Sequence, residues 1–309
     1  MKKGIILMLV LCCTIPKGTG QAFEDTKRKA EQGDADAQLK LGLIYDIGEV
    51  TLKDDKQALY WYKKSAEQGK AAAQLMLGVM YYNGEGTLKD DKQAVYWYQK
   101  SAEQGYADAQ FNLGLMYAIG EGTLKDDKQA FYWYQKSAEQ GKAAAQFNLG
   151  LMYAKGEGTV KDVKQAFYWY QKSAEQGDAA AQFSLGRMYY LGEGTLEDYK
   201  QAFYWYQKSA EQGDAGAQYM LGLMYHEGQG TLKDFKRAFY WCQKSAEQGD
   251  AEAQYSLGRI YYDGKGTLKD YKQAAYWIRK AYNSGGEEVA KKAKEFWDEH
   301  ELWRYSEAE

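Results

Sequence analysis

The chain has 309 residues, 45% of them hydrophobic, enough for two ordinary domains or one elongated array and too apolar for wholesale disorder. Its formal charge of −3 argues against the basic face that nucleic acid demands. One proline beside 33 glycines suits helices joined by short turns.

The first element reads as a leader. Met1-Lys2-Lys3 is a basic start, Gly4 to Ile15 is an almost unbroken apolar run, and Gly20-Gln21-Ala22 puts small residues where a signal peptidase reads. The run is short for a bilayer span, so the expectation is a signal peptide over residues 1–22, cleaved after Ala22, and a periplasmic or secreted protein. A lipoprotein leader is the rival, because Cys12 and Cys13 sit at a suitable depth. Leu11, not a small residue, precedes them. Cleavage removes Lys2, Lys3 and Lys17 and leaves 37 bases against 43 acids, a charge of −6. Cys242 is then the one remaining cysteine, so no intrachain disulfide forms.

From there the chain keeps a ruler. Gly33, Gly69, Gly105, Gly141, Gly177, Gly213, Gly249 and Gly285 stand 36 residues apart, and Trp61, Trp97, Trp133, Trp169, Trp205, Trp241 and Trp277 keep the same step. Seven copies run over 34–285, and a period in this range marks a solenoid. Phe23 to Gln32 precedes them as a capping helix within 23–33.

Each copy predicts two helices, as the third shows. Ala109, Leu113 and Tyr117 are spaced i, i+4, i+8, the helical period, with Ala107, Gln110 and Gly114 on the same face and Gly120 and Gly122 ending the segment. Gly114 has no side chain, so a neighbouring helix can come close there. Asp126 then stands three residues before Gln129, a capping-box spacing, and the second helix runs to Gln140 with Gly141 as its left-handed cap. Ala130, Trp133, Tyr134 and Ser137, at i, i+3, i+4 and i+7, form its packed stripe. Phe131 flanks that stripe toward the next copy, and Tyr132 faces outward with Gln129, Lys136 and Glu139. Glu287 to Trp303, with Val289, Ala293, Phe296 and Trp297 on its packed side, reads as a closing helix within 286–309.

The repeated pattern A-x-A-Q-x-x-L-G-x-x-Y-x-x-G-x-G, then D-x-x-K-Q-A-x-Y-W-Y-x-K-A/S-A-x-x-G, resembles the Sel-1-like repeat, a relative of the tetratricopeptide repeat. The resemblance implies an all-α, right-handed solenoid whose first helices line a concave groove. Members of this family serve as adaptors and scaffolds for protein complexes; many bacterial ones are exported and some engage host proteins. A cysteine-rich branch staples each repeat with a disulfide and has been discussed as binding β-lactams. This chain lacks those cysteine pairs and any S-x-x-K or K-T-G motif, so neither property carries over.

Catalytic signals are absent from the sequence. His226 and His300 have no His or Cys three or four residues away to share a metal, Asp90, Asp126 and Asp162 recur as caps, and no P-loop lysine follows the G-E-G turns. The reading is a non-enzyme without metal or organic cofactor, monomeric, and without a transmembrane span once the leader is gone.

The informative positions vary within the fixed frame. Along the first helices, one row holds Leu39, Leu75, Phe111, Phe147, Phe183, Tyr219 and Tyr255. The next holds Leu43, Val79, Leu115, Leu151, Arg187, Leu223 and Arg259, and the next Asp46, Tyr82, Ala118, Ala154, Tyr190, His226 and Tyr262. By the resemblance these rows line the groove. Arg187, Tyr190, Tyr255, Arg259 and Tyr262 are the expected centre of a partner site, since Tyr and Arg combine buried area with directed hydrogen bonds. Phe111, Leu115, Phe147 and Leu151 of copies three and four form an apolar floor, and Phe183 and Tyr219 are further groove candidates, unless the rings of this row pack between adjacent first helices instead. The expected partner is a peptide or protein of the envelope or of a host; a binder of muropeptide-type cell-wall fragments is the alternative, and a long open groove favours protein.

Overall fold

The computed structural model describes residues 20–48 and 50–306, so Cys12, Cys13 and nearly all of the expected leader lie outside the described residues. Every regular element among the described residues is helical, and none is long and apolar enough to cross a membrane. The chain divides into two compact units between Lys161 and Asp162. The first holds α1 (Gly20–Glu31), α2 (Ala35–Ile47), α3 (Asp55–Glu67), α4 (Ala71–Asn83), α5 (Asp91–Glu103), α6 (Ala107–Ile119), α7 (Asp127–Glu139) and α8 (Ala143–Lys155). The second holds α9 (Val163–Glu175), α10 (Ala179–Leu191), α11 (Tyr199–Glu211), α12 (Ala215–Glu227), α13 (Phe235–Glu247), α14 (Ala251–Asp263), α15 (Tyr271–Ser284) and α16 (Glu287–Glu299), then a 3₁₀ turn at Leu302–Arg304. Within each unit successive helices pack antiparallel, first helix against second helix, copy after copy. This is an all-α solenoid.

The third copy shows why the sequence folds this way. Gly120 (φ 74°) ends α6 in the left-handed region, and its N–H bonds back to Met116 O. The Asp126 carboxylate accepts the Lys128 and Gln129 amide N–H groups, both at 3.0 Å, and starts α7. The Gln129 side chain is exposed and makes no return bond, so this is a one-sided cap and not the reciprocal box its spacing suggested. Two glycines are sterically required. A Cβ on Gly114 would sit 2.8 Å from the Tyr134 ring, so the second helix lies directly on the first. Gly122 (φ 70°) rests on the preceding copy, where a Cβ would meet Asp91 O at 2.2 Å.

Ring burial follows from that close approach. Tyr134 is buried against Gly114, whereas Trp133 is half-buried and packs against a core cluster drawn from the second copy and its own, including Ala102, Ala109 and Leu113. The tryptophan is the bridge between copies and the following tyrosine is the core. Phe131 meets the next copy edge-on at Tyr153, 5.2 Å between centroids, and Tyr132 stays exposed with its ring edge against Trp133.

A polar ladder sets the register between copies. Buried Gln110 donates to Ala102 O of the preceding copy at 3.2 Å and accepts from Gln140 Nε2 at 2.8 Å, while Ser137 donates to Ala107 O at 2.7 Å. The same bonds recur in the second unit, where Gln218 donates to Ala210 O and accepts from Gln248. A buried glutamine needs all these partners, so slipping the array by one residue would strand it.

Candidate functional site

The outward stripe of the first helices differs between the two units. In the second unit α10, α12 and α14 carry the three rows Phe183, Tyr219, Tyr255; Arg187, Leu223, Arg259; and Tyr190, His226, Tyr262. Arg187 and Arg259 are exposed. Arg187 makes one long contact, 3.7 Å to Glu193, and both side chains are about half exposed, so little of its charge is consumed. The guanidinium of Arg259 lies 5.7 Å from the centre of the Tyr255 ring, a cation–π contact, and the side chain remains exposed. Burial raises the Tyr170 hydroxyl to about 12, with the positive charge of Arg187 opposing the rise.

Next to each arginine row runs an aromatic pair joining the first helix to the start of the second. Tyr190 meets Tyr199 at 5.3 Å, His226 meets Phe235 at 5.3 Å, and Tyr262 meets Tyr271 at 5.2 Å. The Tyr190 hydroxyl also donates to Gln229 Oε1 at 3.1 Å. In the first unit the corresponding pairs are Asp46 with Asp55, Tyr82 with Asp91, and Ala118 with Asp127. The position after the capping aspartate therefore changes from acidic to apolar along the chain. That change is written in the sequence, and only the ring pairs reveal what it is for.

The candidate residues separate into open and covered ones. Arg187, Arg259 and Tyr190 keep accessible surface together on the second unit. Tyr255 and Tyr262 are partly covered by the closing helix: Phe296 of α16 meets them at 6.1 and 5.5 Å, and His300 stacks on Tyr262 at 4.4 Å. The edge at copy seven is therefore narrower than the row spacing implies. Phe183 lies tilted on Tyr206 at 5.7 Å and against α12 at Gly216, and Tyr219 accepts a 3.5 Å hydrogen bond from Ser256 of α14. Both rings fill space between adjacent first helices.

In the first unit Phe111 is only 8% exposed, tilted on Tyr134 with the Lys142 ammonium 5.4 Å over it, so it offers almost no surface. Phe147 is half-buried. The rows did not announce a further feature, an aliphatic residue standing in solvent beside each cap: Leu52, Leu88, Leu124 and Val160 in the first unit, Leu196, Leu232 and Leu268 in the second, Leu88 being 87% exposed. Its signal is the same 36-residue step. Among the described residues no three His, Cys, Asp or Glu side chains gather as a metal site would require.

The profile of the Sel1 repeat matches seven times in succession, at 35–70, 71–106, 107–142, 143–178, 179–214, 215–250 and 251–286. Among solved structures, a protective antigen present in uropathogenic Escherichia coli strains and displaying an SLR fold is 39% identical, with a TM-score of 0.82 over 89% of this chain. The chain spans 59% of the length of that antigen. A Sel1 repeat protein from Oxalobacter formigenes is 34% identical, with a TM-score of 0.69, covering 91% of this chain and 83% of its own. No curated protein matches the sequence. Seven contiguous profile matches, with structural relatives sharing a third or more of their residues, establish that this chain belongs to the Sel1 repeat family.

Proposed function

We propose that the protein is an exported scaffold that holds a segment of a partner protein on the first-helix face of its second unit. Sel1 repeat proteins generally mediate protein–protein interaction, and the observation that carries the reading here is the pair Arg187 and Arg259. They replace aliphatic residues at a row that is Leu or Val in the other five copies, and both stand in solvent. Packing gives no reason for either. Exposed guanidinium groups beside tyrosines suit two acidic groups on one extended or helical segment, with the rings of Tyr190 and its neighbours supplying apolar contact. A charge of −6 once the leader is removed provides no general attraction for such a segment, so recognition is local.

Export rests on the basic start, the apolar run and the small residues at Gly20 and Ala22. The E. coli relative, described as a protective antigen, is in keeping with a protein that leaves the cytoplasm.

The test is a crosslinking pull-down from the native envelope, followed by affinity measurement on Arg187→Ala/Arg259→Ala. The double variant should weaken binding by about 2–4 kcal/mol, two moderate hot spots, with an unchanged circular dichroism spectrum. Unchanged affinity with an intact fold would remove the site from this face.

A further inference from the structure

One position breaks the repeat inside the second unit. The residue that lies over the first-helix glycine is Tyr62, Tyr98, Tyr134, Tyr170 and Tyr206 in the first five copies, Cys242 in the sixth and Ile278 in the seventh, where the longer aliphatic chain still covers Gly258. Tyr206 shows what the ring ordinarily does: it stands on Gly186 between Phe183 and Tyr190. In copy six the sulfur contacts Gly222 at the same place but reaches no further. A cleft of about 310 Å³ opens there between α12 and α14, with Cys242, Gly222 and Ile260 among its lining and His226, Arg259 and Lys265 around it.

The chemistry of the cleft is graded. Its base is apolar, and the Cys242 thiol is buried deeply enough that its pKa is pushed up to about 12, so it acts as a small hydrophobe and not as a nucleophile. Its rim is charged, with Arg259 and Lys265 beside Glu227 and Asp263. Lys265 is neutralised by Asp263 at 3.2 Å, whereas Arg259 pairs with no carboxylate among the described residues. His226 is held below its ordinary pKa by burial first and then by Lys265, with Lys233 and Arg259 adding to the effect and Glu227 opposing it. In copy one the residue equivalent to His226 is Asp46, and it accepts the Tyr62 hydroxyl at 3.1 Å, so a ring in this socket directs its polar end at that position.

We propose that this cleft is a socket for one aromatic side chain of an acidic partner segment, the ring seated over Cys242 and an adjacent carboxylate on Arg259. The proposal rests on the groove reading above and specifies what the groove selects. In copy six the ring is replaced by the smallest side chain at this position, and the missing ring defines the shape of the guest. The surrounding charge defines the neighbour that guest carries.

The probe is 4-hydroxyphenylacetate, a tyrosine side chain with a carboxylate, titrated into the full chain while the imidazole signals are followed by NMR. The chain has two histidines, so His226 and His300 are easily told apart. A saturable shift at His226 is expected. Cys242→Tyr, which installs the residue of five other copies, should abolish it, and Arg259→Ala should weaken it about tenfold, as losing one charge-assisted contact does. Neutral 4-ethylphenol should also bind about tenfold more weakly. If Cys242→Tyr fails to fold, the Arg259→Ala and 4-ethylphenol results decide. No saturable shift, or binding that survives Cys242→Tyr, overturns the socket even where Arg187→Ala still releases a protein partner. Loss of probe binding in Cys242→Tyr supports it even where partner binding proves insensitive to Arg187.

Discussion

The substitution Tyr→Phe should have opposite signs in the first two copies. Tyr62 and Tyr98 hold the same place, both fully buried, each ring lying where a Cβ on Gly42 or Gly78 would be 2.6 Å away. Their hydroxyls differ. Tyr62 donates to Asp46 Oδ2 at 3.1 Å, while the Tyr98 hydroxyl is buried with no hydrogen-bond partner. Tyr62→Phe keeps the ring and removes a bond to a carboxylate, worth about 1.5–3 kcal/mol. Asp46 is half-buried and can turn to solvent, so the lower end, about 1–2 kcal/mol, is expected. Tyr98→Phe removes a hydroxyl whose unmet burial costs about 1–3 kcal/mol, so the variant should be neutral to about 1 kcal/mol more stable. For a unit of this size each kcal/mol moves the midpoint by about 2–4 °C, so the two variants should melt apart by several degrees. Repeat arrays can open locally, so thermal melts are paired with amide exchange in α3 and α5. Equal destabilisation would refute the reasoning by showing that the Tyr98 hydroxyl is satisfied in solution, and two neutral variants would show that the Asp46 bond contributes nothing.

Gly122→Ala should cost more than Gly141→Ala, because both have positive φ but only Gly122 lacks room for a Cβ. The backbone penalty of about 1–2 kcal/mol applies to both, and the clash adds about 1–3 kcal/mol at Gly122, readable in urea midpoints. Trp241→Ala should cost about 3 kcal/mol, the low edge for a packed tryptophan, since this ring is half-buried against the core cluster that includes Ala210, Ala217 and Leu221. Its neighbour Tyr240→Ala should cost about 0.5–1 kcal/mol, the worth of its edge contact with Trp241, and equal losses would contradict the helix phase. N-terminal sequencing of the exported protein should begin at or near Phe23; a product starting at a lipid-modified Cys12 or Cys13 would instead mean membrane anchoring.

The sequence by itself determined the number of copies, the two helices in each and the places where they start and stop. These are local matters. Asp126 caps the helix it precedes, Gly120 ends the helix it follows, and the spacing of Ala130, Trp133, Tyr134 and Ser137 needs no distant partner to be read as one face. What depends on contacts between different helices was decided only by the tertiary structure. Tyr134 rather than Trp133 is the fully packed ring because Gly114 admits the second helix up to its tyrosine, while the tryptophan lies against a core shared with the copy before it. Phe111 is buried beneath Lys142, and Tyr262 lies under His300, because each contact comes from a later element whose position the row spacing does not contain. Gln110 satisfies its amide only through Ala102 and Gln140. The cleft beside Cys242 likewise exists because α12 and α14 are held apart by the repeat while one side chain between them stops short. Periodicity fixes which face of a helix is packed; whether a given side chain is covered depends on the volume and charge of whatever the neighbouring copies bring against it.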